Sequence, residues 1–194
     1  MKGKDFLRSY SGARFDPFAP DPAAIHIEDI AHGLAGTFRF SGQSDLRYTV
    51  AQHSVAVSRR FIDPELAMCG LVHDAPETWL WDVQRPIKGL VYLEDIERDC
   101  LILFNIIEDR IFAAVARRFG LKLQVIPAPV KEADDRELAR EIRDLWSDRQ
   151  PPWPEMPGIL PYAERIGFPW WPGKAEERFL ERFRQLTVLR GMVE

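Results

Sequence analysis

Cysteine is scarce: the 194 residues hold two, Cys69 and Cys100. Two cysteines cannot build a disulfide framework, so the expected compartment is a reducing one, the cytoplasm. Long apolar runs are missing too, and nothing approaches the ~18 residues that span a membrane. Met1 to Tyr10 carries Lys2, Lys4 and Arg8 with no apolar segment behind them, which argues against a signal peptide. Positive charge is not in excess. Lys and Arg total 26 against 30 Asp and Glu, a net charge of −4, whereas a polynucleotide binder meets phosphates with clustered cations. No internal repeat is present. An apolar fraction of 46% and a charged fraction of 29% suit an ordinary globular chain, and the length suits one domain over 1–194 with a sizeable core.

Proline is plentiful and unevenly placed. Pro17, Pro20 and Pro22 mark an N-terminal loop, and seven more crowd between Pro151 and Pro172. Proline removes a backbone donor, so neither stretch is continuous helix. Between them the pattern is helical. Helices are expected over Ile25–Ala35, over Thr49–Ile62 behind a Thr49-x-x-Gln52 capping box, and from Pro64 to about His73. A long one is expected from Leu93 to Phe119, stopped by Gly120, then one from Pro129 to about Asp148 and an amphipathic one over Lys174–Arg190. No period-2 strand pair stands out, so the expected class is all-α. The segment over 150–173, with Trp153, Trp170 and Trp171 among its prolines, reads either as a strap covering the core or as a lid or dimer contact.

The sharpest signal is a set of ionisable residues on apolar helix faces. His53 is three after Val50 and four before Val57. His73 follows Leu66, Cys69 and Gly70 at seven, four and three, with Asp74 beside it and Glu77 one turn on. Val130, Asp134, Leu138, Ile142 and Leu145 form one stripe that Asp134 interrupts, while Asp135 is turned by about 100° and reads as solvated. Burying such groups is costly unless they are paired or bind metal. His53, His73, Asp74 and Asp134 could satisfy each other around one divalent cation, with mixed N and O ligands that suit Mn, Fe, Co, Ni or Zn. Asp134 alone could equally pair with a neighbouring arginine. His26 and His32 have no partners at ligand spacing.

The H…HD…D order of His53, His73-Asp74 and Asp134 resembles the signature of HD-domain metal-dependent phosphohydrolases. Around it, Arg39-Phe40-Ser41-Gly42, Tyr48 to Ser54, Leu71 to Glu77, Trp81 to Lys88 and Val130 to Asp134 are similar to the subgroup of bacterial 5′-deoxynucleotidases and phage dATP triphosphohydrolases. Gln43 stands where related sequences often have His. The resemblance covers about 16–146 and implies an HD-type helical bundle, its core about 16–148, followed by the Pro/Trp-rich strap and a C-terminal helix over 174–190. It implies that His53, His73, Asp74 and Asp134 bind the metal. Glu77 would position or activate the attacking water, and Asp82 would assist it or hold an auxiliary Mg or Mn. Arg39, Lys88 and Lys131 would contact phosphate or sugar, and Phe40 and Pro86 would pack against sugar and base. The expected activity is hydrolysis of the 5′-phosphate of dNMPs. The alternatives are triphosphate release from a dNTP, or a nucleotide-binding regulator without turnover. A small nucleotide is the expected partner, with no polymer and no membrane, and the resemblance suggests a homodimer.

Overall fold

Thr49 shows how the local sequence starts a helix here. Its extended backbone places its hydroxyl to accept the Gln52 N–H at 3.1 Å, and α2 runs from there over Val50–Ser58. Asp63 does the same for α3, Pro64–Val72, by accepting the Glu65 N–H at 2.8 Å. The computed structural model describes residues 6–146 and 158–191, and over them the chain is mostly helical. A short hairpin of β1 (Leu7–Arg8) and β2 (Arg14–Phe15) leads into α1 (Ile27–Gly36), then α2 and α3, with two one-turn helices, α4 (Glu77–Leu80) and α5 (Arg85–Lys88). A second hairpin, β3 (Tyr92–Asp95) and β4 (Cys100–Leu103), precedes α6 (Phe104–Arg118), α7 (Ala128–Asp144) and α8 (Pro172–Gly191). No helix among the described residues is long and apolar enough to cross a membrane.

Three expectations are corrected in part. Leu93 to Phe119 is not one helix: its first part is the antiparallel pair β3–β4, and helix begins at Phe104. The Asp95 carboxylate closes the turn by accepting the Arg98 N–H at 3.2 Å, and Asp99 adopts a left-handed φ of 48°. Aspartate tolerates that conformation because its short side chain can bond locally. With β1–β2 as a second small sheet, the class is mostly helical rather than purely α. The inward stripe expected on α7 holds at its ends, where Val130 and Leu145 are fully buried, and is rotated between them. Val130, Ala133, Glu137, Arg140 and Glu141 are buried, and Leu138 and Ile142 only half so. Paired charges occupy positions that hydropathy alone gives to aliphatic side chains.

The core gathers Ile30 and Leu34 of α1, Val50, Val55 and Val57 of α2, Met68 and Leu71 of α3, and Ile107 and Ile111 of α6. Helix α8 lies across α1, α2 and α3, seating Phe179 and Leu186. Gly70 lets α2 and α3 approach closely, since a Cβ there would stand 3.2 Å from Val57 Cγ1 and 3.3 Å from Ser58 Cα. That closeness sets His53 of α2 beside His73 at the end of α3, ring centroids 5.3 Å apart.

Of the expected strap, residues 158–171 are described and carry no regular structure, while Trp153 lies outside the described residues. Trp170 covers the core and donates its backbone N–H to Oε1 of Gln52, the neighbour of His53 in sequence, at 2.7 Å. Trp171 and Phe168 stay largely in solvent, so the covering reading applies to Trp170 and not to them. The strap is tied to α7 as well. Arg143 donates to the carbonyls of Tyr162 and Glu164, and the Arg60 and Arg136 guanidinium groups both lie over the Tyr162 ring, 3.7 and 4.1 Å from its centroid.

Candidate metal centre

Helices α2, α3 and α7 bring His53, His73 and Asp134 to one point, and these three could hold a metal ion. His53 Nε2 stands 3.1 Å from Asp134 Oδ1 and 3.6 Å from Asp74 Oδ2, and His73 Nε2 stands 3.2 Å from Asp74 Oδ1 and 3.9 Å from Asp134 Oδ1. Two ligands ~2.1 Å from one cation and ~90–110° apart lie ~3.0–3.4 Å from each other, so the 3.1 and 3.2 Å spacings fit a shared coordination sphere, and the 3.6 and 3.9 Å ones match ligands set at a wider angle. The hydrogen bonding fits too. His53 Nε2, His73 Nε2 and Asp74 Oδ2 are buried with no hydrogen-bond partner, and so is Glu77 Oε2. Each such atom costs about 1–3 kcal/mol while unsatisfied, which a cation at their centre would offset.

The far side of each imidazole explains its orientation. His73 Nδ1–H donates to the Gly70 carbonyl at 2.8 Å, which leaves Nε2 its lone pair. His53 Nδ1–H donates to Glu141 Oε1 at 2.6 Å, and Arg39 Nε donates to Glu141 Oε2 at 3.1 Å. Glu141 is completely buried and is a site residue the sequence reading missed. It lies seven after Asp134 on the same face of α7, but the arginine that makes its burial tolerable comes from another element, so periodicity alone does not single it out. Burial opposes the Glu141 charge, but Arg39 and His53 hold its carboxyl below the usual range. Burial likewise opposes the charge of Asp134, and the two imidazoles hold it well below. Burial and Arg39 pull the His53 imidazole down, yet Glu141 and Asp134 outweigh them and raise it to about 10. The cluster therefore draws positive charge.

A cavity of about 380 Å³ opens on the cluster, lined by His73, Asp74, Glu77 and Asp134 on one side. Lys88, Lys131, Glu108, Asp109, Phe112 and Ile126 are among its other walls. Burial first, then Asp74 and Asp82, hold the Glu77 carboxyl well above the usual carboxylate range. Asp82 is half-buried, and burial raises it as well, although it does not line this cavity. Of the expected substrate contacts, Lys88 and Lys131 line it, with Lys88 paired to Glu108 at 2.7 Å. Arg39 instead lies behind the cluster on Glu141, 3.9 Å from Asp74, and Phe40 packs edge-on against Trp146. Pro86 belongs to α5, and its side chain lies outside the described residues. Arg85, given no role from sequence, donates to Asp134 Oδ2 at 2.9 Å and Asp135 Oδ1 at 2.6 Å. Asp135 is therefore half-buried and paired rather than solvated. His32 stays apart from the centre, stacked on Tyr10 and bonded to Glu176.

No family model matches the chain. Relatives do. Over 186 residues, 95% of this chain and 97% of its counterpart, the sequence is 37% identical to the protein YfdR of Escherichia coli K12. The chain belongs to the YfdR family. It is also 42% identical over 134 residues to an uncharacterized protein of Rhodobacter capsulatus, which covers 65% of this chain and 63% of that relative. Neither relative's name carries an activity, so the chemistry of this YfdR-family chain has to be argued from its centre.

Proposed function

We propose that this chain is an HD-type metal-dependent phosphohydrolase that removes the 5′-phosphate of a deoxynucleoside monophosphate. The observation that carries the reading is the convergence of buried His53 Nε2, His73 Nε2 and Asp74 Oδ2, which have no hydrogen-bond partner, beside Asp134, with His73, Asp74 and Asp134 lining a cavity of about 380 Å³. That volume lies within the range of small-molecule sites. The H…HD…D order of the same residues supports the HD assignment. His53, His73, Asp74 and Asp134 would hold the cation, which when bound lowers the pKa of water and shields phosphate charge.

The chain's own groups supply the rest. Glu77, buried, unpartnered at Oε2 and raised in basicity, accepts the proton that the attacking water must lose. Lys88 and Lys131 face the cavity, where they offset charge on the phosphoryl oxygens. Glu141 and Arg39 stay behind the cluster and keep His53 turned towards it. The charge of the walls favours a monophosphate over a triphosphate. Six acidic side chains (Asp74, Glu77, Glu108, Asp109, Asp134, Asp135) face three basic ones (Arg85, Lys88, Lys131), and two of these are already paired, Lys88 with Glu108 and Arg85 with Asp134 and Asp135. A divalent ion offsets two of the negative charges, which leaves little to hold four more on a dNTP.

The test is a product screen of dNMPs, NMPs and dNTPs with Mn²⁺, Co²⁺ and Mg²⁺, with orthophosphate and triphosphate separated by ion chromatography. The expected outcome is metal-dependent orthophosphate release from dNMPs that Asp74→Asn abolishes. Triphosphate as the main product would replace the monophosphate reading with the dNTP one. Equal background rates for the native chain and Asp74→Asn on every substrate would leave a binding protein without turnover.

A further inference from the structure

Arg85 is an odd residue to find at a metal centre. It sits on the one-turn helix α5 three residues before Lys88, which puts both on one face. Both line the cavity. Its guanidinium reaches two different carboxylates, Asp134 Oδ2 at 2.9 Å and Asp135 Oδ1 at 2.6 Å, from a side chain 57% exposed. Asp134 Oδ1 meanwhile faces His53 and His73. One aspartate is thus shared between the metal-ligand cluster and an arginine in the cavity wall.

The arrangement is weak as a brace and well shaped as a receptor. An ion pair on a half-exposed arginine contributes little net stability, because solvent already satisfies much of both partners. The same planar fork, spread over two separate oxygens, matches two oxygens of a phosphate group, and a dianion attracts it more than either carboxylate does. Arg39, the arginine that the resemblance assigns to phosphate, is committed to buried Glu141 and does not line this cavity. Lys88 is held by Glu108. That leaves Arg85 as the guanidinium in the wall, held only by carboxylates that solvent also reaches.

We propose that Arg85 is the phosphate-receiving residue of the cavity: it exchanges Asp134 and Asp135 for two oxygens of a phosphate ester. The inference rests on the phosphohydrolase reading and names the residue that selects its anionic substrate. Asp135 then acts as the competitor that holds Arg85 at the wall until the anion arrives. The exchange breaks two charge-assisted hydrogen bonds and forms two, with no covalent change.

The test titrates the full-length chain, loaded with Mn²⁺, with inorganic phosphate by calorimetry, with bound manganese measured in parallel. Arg85→Ala is expected to weaken phosphate binding at least tenfold while retaining manganese, and Arg85→Lys to recover part of the loss. Asp135→Asn is expected to tighten phosphate binding two- to fivefold, because it removes the competing carboxylate. In the Arg85→Ala background that gain is expected to disappear; a gain of the same size there overturns the exchange, because neutralising Asp135 would then act by charge alone. Phosphate binding equal to wild type in Arg85→Ala overturns the proposal alone. Loss of manganese in Arg85→Ala also overturns it, since Arg85 would then be a support for Asp134. A wild-type chain that keeps manganese and binds no phosphate overturns the proposal and the phosphohydrolase reading together.

Discussion

Glu141 Oε1 lies 2.6 Å from His53 Nδ1, and this contact decides which face of the imidazole is presented to Asp74 and Asp134. A carboxylate behind a ligating histidine fixes the tautomer and raises the basicity of the free nitrogen, and losing it typically costs 10–100-fold in metal affinity. Glu141→Gln is therefore expected to weaken Mn²⁺ or Co²⁺ binding by about tenfold or more in a metal titration. It also removes the charge opposite buried Arg39, and breaking a buried pair costs about 3–5 kcal/mol. Denaturant unfolding without added metal measures that second loss separately. Unchanged affinity in a folded variant would remove Glu141 from the centre.

Asp134 and Asp135 are one residue and about 100° of helix apart. Asp134 faces both imidazoles, whereas Asp135 meets Arg85 outside the cluster. After dialysis against trace metal, Asp134→Ala should keep at most a tenth of the wild-type content, and Asp135→Ala should keep nearly all of it. Elemental analysis of the two proteins decides, and the opposite pattern would move the ligand by one residue.

The centre was readable in the sequence where apolar periodicity had a polar exception. His53 against Val50 and Val57, and His73 against Cys69 and Gly70, were visible because their neighbours in the pattern are aliphatic or small. Glu141 and Glu137 escaped the same reading because Arg39, Arg60 and Arg140, which make their burial tolerable, come partly from other elements. Periodicity on α7 sees only α7. Arg85 escaped for a related reason: its partners lie 49 and 50 residues away, and no local pattern records such a pairing. The β3–β4 hairpin was hidden by its apolar content, since Leu93, Ile102 and Leu103 serve a helix face or a strand equally well. Only the Asp95 to Asp99 turn distinguishes the two.

Glu77 has a carboxyl that burial holds above its usual range and an oxygen without a partner, at the wall of the cavity. A proton acceptor in that position contributes typically 10²–10⁴-fold. Glu77→Gln keeps the shape and removes the acceptor, so kcat for dNMP hydrolysis should fall by about 10²-fold or more while KM and metal content change little. A fall in metal content of the same size would instead make Glu77 a ligand.

Asp144, at the end of α7, holds the strap by charge. Arg143 donates to both its oxygens at 2.7 and 2.8 Å, Arg165 to one at 2.6 Å, and the Ile166 N–H to the other at 2.8 Å. Burial alone would raise this carboxyl, but Arg143, the Ile166 N–H and Arg165 lower it from 3.8 to about 2. A depressed folded-state pKa means stability that is fully present above the unfolded value near 3.8 and is lost as the pH falls through about 2. With solvent screening around exposed Arg165 allowed for, the contribution is about 1–2 kcal/mol. Asp144→Asn should therefore be less stable than wild type by that amount at pH 7, with metal content unchanged because the contact lies at the strap. The gap should persist to about pH 5, shrink below pH 4 and be nearly closed at pH 2. Chemical denaturation of both proteins across that range measures it, and a gap of constant size from pH 7 to pH 2 would show that the Asp144 charge does not tie the strap to α7.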